Sequence, residues 1–254
     1  MLSGSFADIP AFFALALQTG GDTSWIHAPS GAELARVFVR WAHFVAGITW
    51  IGILYFFNLI NVPFQKKLDA ATKKIVVPEL MPRSLWYFRW GAVVTVLAGL
   101  TYYAMFIMRT DAHNAGVSTW AWLAEWLVVV LIFYAILYGV LQSVNNGNVI
   151  AVIVAVLVLL MAGVILYLFR DPNVSNKTLS IGVGGGLGIW MLLNVWGIIW
   201  RAQKKIIAAT IEGTPAPADL ARKAFLASRT NAWLSLPMLF FMATSHGDYI
   251  IFGK

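Results

Sequence analysis

The sequence has no cysteine among its 254 residues. This absence excludes disulfide bonds, thiolate metal sites, iron–sulfur clusters and the covalent attachment of a c-type haem. Charged side chains are also scarce, at 11% of the chain, whereas soluble domains carry about 25%. A redox centre in such a chain has to be held without covalent bonds, and histidine is the side chain best suited to hold it.

Hydrophobic residues make up 60% of the chain. Several stretches of about 20 residues are nearly free of charge, which is the length needed to cross ~30 Å of hydrocarbon as a helix. The sequence therefore predicts an all-α, polytopic transmembrane helical bundle in a lipid bilayer. The net charge of +7 is attributed to basic loops on one side of the membrane, so no nucleic-acid partner is expected.

Six spans are predicted from the apolar stretches and the turn residues between them: Glu33 to Val62, Ser84 to Met108, Ser118 to Leu141, Val149 to Phe169, Thr178 to Trp200 and Asn231 to Tyr249. A further apolar run, Ile9 to Leu17, is too short to span and has no Lys or Arg before it. It predicts a short N-terminal interfacial helix. The expected organisation is an outer-face segment over 1–34 and a six-helix transmembrane domain over 35–254.

The distribution of basic residues predicts the orientation of this bundle. Twelve of the 18 Lys and Arg residues lie in the loops after the first, third and fifth spans, with Arg89 at the start of the second span included. Because short cytoplasmic loops carry an excess of Lys and Arg, both termini are expected on the outer side. In a bacterium this places the chain in the inner membrane with both termini in the periplasm.

The chain has four histidines, and under this topology all of them lie in the outer half or on the outer surface: His27, His43, His113 and His246. His43 stands out because it lies within the first apolar span. An ionisable side chain at membrane depth is costly and is therefore a candidate functional residue.

His43 and His246 form the leading candidate pair, because two helix-borne histidines at similar depth can ligate a haem b from opposite faces. Gly47, at i+4 from His43, provides room beside the macrocycle. Arg40, one turn outward, is the candidate partner for a haem propionate, and Arg109 is a second one. A glycine cluster opens the fifth span, where small residues let a helix or a flat cofactor approach the backbone.

Other interpretations of these residues remain open. In one alternative, the sole role of His43 is a hydrogen bond between helices. In another, His43 and His246 hold a metal ion without porphyrin. His113 is an alternative ligand if His246 is not one. Glu125 can relay protons or contact a substrate, or it can pair with an arginine. Asn58, Asn61 and Asn194 are expected to form hydrogen bonds between helices.

Three motifs resemble the urate oxidase N-terminal family, the membrane domain of urate hydroxylases. They are RWAHFVAGITWIG at 40–52, MPRSLWYFRW at 81–90 and NAWLSLPMLFFMATSH at 231–246. They occur in the family's order, and the resemblance extends from about Glu33 to Asp248. His43 and His246 match motif positions, whereas their role as haem ligands is inferred from their depth and chemistry.

The resemblance implies an integral-membrane redox domain. Long members of the family continue into a cytochrome c domain, so we expect a short form that passes electrons to a separate periplasmic cytochrome c or to a membrane redox complex. Oxidation of urate or a related purine at the outer face is the expected chemistry if the protein is an enzyme. The alternatives are a cofactor-free membrane anchor or assembly subunit and, ranked last, a small-solute transporter.

Overall fold

A computed structural model describes residues 29–246 and 251–252. The predicted interfacial helix at Ile9 to Leu17 and His27 lie outside the described residues. The chain divides into two compact units, Met1–Val37 and Phe38–Lys254. In the described part of the first unit, Ser30 and Glu33 form a capping box: Ser30 N–H donates to Glu33 Oε2 (2.8 Å) and Glu33 N–H donates to Ser30 Oγ (3.3 Å). This reciprocal pair starts the first helix.

The described residues form six helices joined by short connections. Their bounds are α1 Gly31–Lys67, α2 Ala70–Asn114, α3 Thr119–Ser143, α4 Gly147–Leu168, α5 Asn176–Glu212 and α6 Ala218–Thr244. The all-helical prediction is therefore confirmed for the described part of the chain. Because the connections are short, successive helices run antiparallel, and the bundle has two ends.

Five of these helices, α1 to α5, are long and apolar enough to cross a membrane. The last helix, α6, has 27 residues, or about 40 Å at 1.5 Å per residue. It is not among the helices that are apolar enough to cross a membrane, and Arg222, Lys223 and Arg229 occupy its first half. The described residues thus include five candidate membrane spans, and the sixth predicted span is not among them.

Two helices are longer than the sequence predicts. The second begins at Ala70 rather than near Ser84, and the fifth continues to Glu212 rather than ending near Trp200. Both extensions are rich in Lys and Arg and lie at the same end of the bundle, called here the basic end. The charges that marked these stretches as loops occupy exposed helix faces instead.

Local capping explains where several helices begin and end. Asp69 accepts the N–H of Thr72 at the start of α2, and Ser175 accepts the N–H of Thr178 at the start of α5. Gly213 ends α5 in a left-handed conformation with φ of 75°, which glycine adopts without the steric penalty of a Cβ atom.

Helix α5 lies at the centre of the bundle because its glycines allow close contact on several sides. A Cβ atom on Gly184 would lie 3.1 Å from Phe241 Cβ of α6, and one on Gly186 would lie 3.0 Å from Val130 Cγ2 of α3. Two buried indole N–H groups bind α3 to α5, Trp126 to the carbonyl of Gly182 (2.8 Å) and Trp190 to that of Val130 (2.9 Å). The glycine cluster therefore serves helix packing as well as the cavity described next.

Candidate functional site

An apolar cavity of about 790 Å³ lies between α1, α2, α5 and α6. Its volume is within the ~300–1,000 Å³ range of small-molecule and cofactor sites. On α1 the lining extends from Arg40 to Tyr55, and at the end of α6 it extends from Met238 to His246. Both predicted histidines therefore line the same cavity.

His43 is held by the backbone of α2. Its Nδ1 lies 2.7 Å from the carbonyl oxygen of Thr95. A carbonyl oxygen can only accept, so Nδ1 is the donor in this contact, and in the neutral tautomer with its hydrogen on Nδ1 the lone pair of Nε2 is free. Gly99, one turn along α2 from Thr95, lies against the ring: a Cβ atom there would come within 2.7 Å of His43 Cε1 and 2.8 Å of Nδ1.

His246 has a matching arrangement at the end of α6. Its Nδ1 lies 2.8 Å from the carbonyl oxygen of Met242 and 2.9 Å from Ser245 Oγ. Ser245 Oγ itself donates to the Met242 carbonyl (2.7 Å), so the serine oxygen is free to accept from the imidazole. Nδ1 is again the protonated nitrogen and Nε2 the free one.

The ring of Phe44 is near both histidines. Its centroid is 6.2 Å from that of His43 and 6.3 Å from that of His246. The guanidinium of Arg40 lies 5.7 Å from the same ring, within the range of a cation–π interaction. The imidazoles of His43 and His246 and the exposed guanidinium of Arg40 therefore line the same cavity.

Asn176, at the start of α5, holds the chain on both sides of His246. Its Nδ2 donates to the carbonyl of Thr244 (2.9 Å), and its Oδ1 accepts the N–H of Ile251 (3.2 Å) and of Phe252 (3.0 Å). Thr95, Gly99 and Asn176 were not among the residues predicted for the site. Their roles depend on contacts over 52 or more residues of sequence, and the sequence carries no local signal for them.

The other predicted residues have different positions. Gly47 lines the cavity, and a Cβ atom on it would lie 3.6 Å from Thr95 Cγ2, an ordinary contact. Arg109 and His113 are exposed and line a second cavity of about 600 Å³ at the connection between α2 and α3. Glu125 is exposed on α3, whereas its neighbour Trp126 lines the main cavity.

The cavity offers two nitrogen ligands from the protein. Among the described residues, no three His, Asp or Glu side chains come together in a way that could hold a metal ion. The walls are mostly aliphatic and aromatic, and Gly185 and Gly188 of α5 face it with hydrogen in place of a side chain. Trp50 also lines it, is 1% exposed, and its indole N–H has no hydrogen-bond partner in the described part of the chain. Such a cavity can take a flat, mostly apolar cofactor whose metal ion is ligated by imidazole.

Comparison with known proteins gives one family match. The model of the family described as Urate oxidase N-terminal matches residues 68–253. The match includes α2 to α6 and therefore the cavity residues Thr95, Gly99 and His246. No curated protein and no solved structure matches the chain.

Proposed function

The chain belongs to the urate oxidase N-terminal family, and we propose that it is an integral-membrane redox protein that binds haem b through His43 and His246. The observation that carries this proposal is the hydrogen bonding of the two imidazoles. Each one has Nδ1 directed at a backbone carbonyl, so that Nε2 remains for a metal. Second-shell bonds of this kind fix the tautomer and ring orientation of metal-ligating histidines.

The walls of the cavity also fit a porphyrin. The lining is apolar apart from the histidines, Arg40 and a few hydroxyl and indole groups. Two glycines of α5 face it, which lets a planar macrocycle lie against the helix backbone. Arg40 is exposed at the end of the cavity nearest the start of α1, where its guanidinium can pair with a propionate.

A haem bound here supplies a one-electron couple. The protein's own residues would set its properties: the Thr95 and Met242 carbonyls would fix the tautomer and ring orientation of the imidazoles, and the apolar walls would exclude water. Trp50 provides an N–H donor on the cavity wall that no described residue accepts. Electrons would leave to a cytochrome c-type partner. If the protein is an enzyme, it would oxidise urate or a related purine at the outer face of the membrane.

The proposed orientation places the histidine-bearing end of the bundle on the periplasmic side. It depends on α6 crossing the membrane as a sixth span despite its basic first half. The Lys and Arg residues of the α2 and α5 extensions lie at the opposite end, as the positive-inside rule requires for a cytoplasmic face. A reporter enzyme fused after Lys254 is expected to read periplasmic, and one inserted at 144–146 cytoplasmic. A cytoplasmic reading after Lys254 would overturn the sixth span.

An optical difference spectrum tests the haem assignment. The purified protein is expected to show a b-type α-band on reduction, and the band should be lost in His43→Ala and His246→Ala. His113→Ala is the matched control, because this histidine is exposed in the second cavity, and it should keep the band. Thermal unfolding of each variant shows whether the fold is retained.

Two results would contradict the assignment. A folded wild-type protein that stays colourless after incubation with haem would rule out the cofactor and favour an anchor or assembly subunit. Loss of the band in His113→Ala together with its retention in His246→Ala would show that His113, and not His246, is the second haem ligand.

A further inference from the structure

A row of polar side chains begins where the cavity ends and continues towards the basic end of the bundle. We call it the polar ladder; its members are Tyr55, Asn58, Asn61 and Gln65 on α1, Asn194 on α5, and Ser228, Asn231 and Ser235 on α6. The spacing of three or four residues within α1 and within α6 places each set on one helix face. The ladder is therefore a row of polar side chains along facing helices of an apolar bundle.

The ladder extends from the cavity to the charged surface. Tyr55 is the last residue of α1 that lines the cavity, and Met238 of α6 is one turn beyond Ser235. At the other end, Gln65 is followed by Lys66 and Lys67. The cavity and the basic surface are thus connected by polar groups.

Direct hydrogen bonds join the helices along this row. Tyr55 Oη lies 2.9 Å from Ser235 Oγ, and Ser235 Oγ donates its hydrogen to the carbonyl of Ala232 (2.7 Å). Tyr55 is therefore the donor to Ser235. Nearer the basic end, Asn58 Nδ2 donates to Ser228 Oγ of α6 (3.0 Å), and within α1 Gln65 Nε2 donates to Asn61 Oδ1 (3.1 Å).

Asn194 and Asn231 form the centre of the ladder, and both are fully buried. Asn194 Nδ2 donates to Asn231 Oδ1 (2.8 Å), and Asn231 Nδ2 donates to the carbonyl of Met191 (2.9 Å). Asn194 Oδ1 has no hydrogen-bond partner among the described residues. A buried amide oxygen without a protein partner is able to accept from a water molecule, the usual way in which such groups are satisfied.

The helices depart from regular α geometry at the same level. A π-helical turn of α1 covers Phe56–Asn61, which includes two ladder residues. A second π-helical turn, Val195–Ile199 in α5, begins directly after Asn194. Such turns are frequent at functional sites and release backbone carbonyls from the regular hydrogen-bond pattern. Pure packing between apolar helices requires neither π turns nor a row of amides.

We propose that the polar ladder conducts protons between the aqueous phase at the basic end and the cavity. Tyr55 and Ser235 form the last step. At rest Tyr55 donates to Ser235 and Ser235 donates to the Ala232 carbonyl, so transfer into the cavity requires both hydroxyls to rotate until Ser235 donates to Tyr55 Oη and Tyr55 donates to an acceptor in the cavity. A proton arriving on the Ser235 oxygen then displaces the Ser235 hydrogen to Tyr55 Oη as the Tyr55 hydrogen moves to the acceptor. Each transfer breaks one O–H bond and forms one. The amides order water molecules along the rest of the way and are not themselves protonated.

This inference rests on the proposed function, because a redox centre gives the protons a destination. An electron that enters the cavity from a quinol or other reductant adds one negative charge in a medium of low dielectric constant. One proton taken up through the ladder neutralises that charge. Uptake from the basic end makes the charge movement directional across the membrane.

Proton uptake in phospholipid vesicles with uniformly oriented protein tests the ladder. A pH-sensitive dye is placed on the basic-end side, and the centre is reduced under anaerobic conditions. Wild type should take up protons from that side on reduction. Tyr55→Phe, which keeps the ring and removes only the hydroxyl, should slow uptake by roughly 10²-fold, the lower end of what a positioned proton-transfer group contributes. Tyr138→Phe, an exposed tyrosine on α3 outside the ladder, should match wild type.

The optical spectrum separates failure of this inference from failure of the proposed function. A normal haem band combined with equal uptake rates in Tyr55→Phe and wild type would overturn the ladder and leave the haem assignment intact. If the protein proves colourless, passive proton flux driven by a potassium diffusion potential is measured in the same vesicles. A proton flux that is lower in Tyr55→Phe and in Asn58→Leu than in wild type would support the ladder. A flux that is equal in all three proteins would overturn it.

Discussion

Gly99 leaves the space that the imidazole of His43 occupies. A Cβ atom on Gly99 would come within 2.7 Å of His43 Cε1, a separation that atoms in van der Waals contact do not reach. The ring is fixed by this contact and by the Thr95 carbonyl on the same helix. Helix α2 therefore sets both the position and the tautomer of a histidine that α1 carries.

We predict that Gly99→Ala displaces His43 and weakens haem binding. The added methyl group cannot fit beside the ring, so the imidazole has to rotate away from the Thr95 carbonyl. The measurement is the haem content per protein together with the amplitude of the reduced α-band. Gly139→Ala, at a glycine of α3 with nothing within 4 Å of its Cβ position, is the control. An unchanged spectrum in Gly99→Ala would show that His43 is not held as described.

Asn176→Ala is expected to release the segment that carries His246. The substitution removes the donor to Thr244 and the acceptor for Ile251 and Phe252. Loss of one partner from a buried hydrogen bond costs about 1–3 kcal/mol. Both the thermal midpoint and the affinity for haem should fall, as measured by unfolding in detergent and haem titration. The exposed Asn173→Ala should resemble wild type, and equal haem affinities in both variants would contradict the anchoring role.

Gly184→Val should destabilise the contact between α5 and α6. A Cβ atom at this position lies 3.1 Å from Phe241 Cβ and 3.2 Å from the Met238 carbonyl, and the backbone oxygen cannot move aside easily. Overpacking of this kind costs about 1–3 kcal/mol, which thermal unfolding in detergent detects. Gly163→Val, on α4 with open space around its Cβ position, is the matched control. Equal midpoints for the two variants would show that α5 and α6 can separate without cost.

Asp69, in the connection between α1 and α2, makes the stability of the fold depend on pH. Hydrogen bonds from the Thr72 N–H and hydroxyl lower the pKa of its carboxyl below the ordinary value of 3.8. A carboxyl with a depressed folded-state pKa adds stability above its unfolded-state pKa, and this contribution is lost as the pH falls through the folded-state pKa. Asp69→Ala should therefore unfold at a lower temperature than wild type at neutral pH, and the difference should narrow in acid.

Asp69→Asn separates the cap from the charge in the same experiment. Asparagine keeps the oxygen that accepts from Thr72 and is an equally good N-cap residue. This variant should unfold near the wild-type temperature at neutral pH, without the decline that wild type shows in acid. An acid dependence identical to that of wild type would assign the effect to another carboxyl group.

The sequence predicted the apolar helices well, because the ability to cross hydrocarbon is a property of each segment by itself. Helices α1 to α5 contain the first five predicted spans to within one residue at each end. The start of α2 was placed too late and the end of α5 too early, since Lys and Arg residues on an exposed helix face look the same in sequence as those in a loop. The predicted role of Asn58 and Asn194 between helices is confirmed by their bonds to Ser228 and Asn231.

The candidate site was accessible to sequence reasoning only in part. The position of His43 in an apolar segment identified it without any knowledge of its neighbours, because an ionisable group at that depth is costly wherever the helix packs. Whether Arg109, His113 and Glu125 would lie beside it depended on how the helices are rotated about their axes. The structure places the first two in a separate cavity and the third on an exposed face.

The sequence by itself thus determined that the chain is a helical membrane bundle with a histidine inside its first span. Only the tertiary structure decided that His43 shares a cavity with His246, that Gly99 makes room for one ring and that Asn176 anchors the other. These contacts join residues far apart in the chain, and their formation depends on the rotation and depth of packed helices. Hydrophobicity is set residue by residue, whereas that packing is set by the whole bundle.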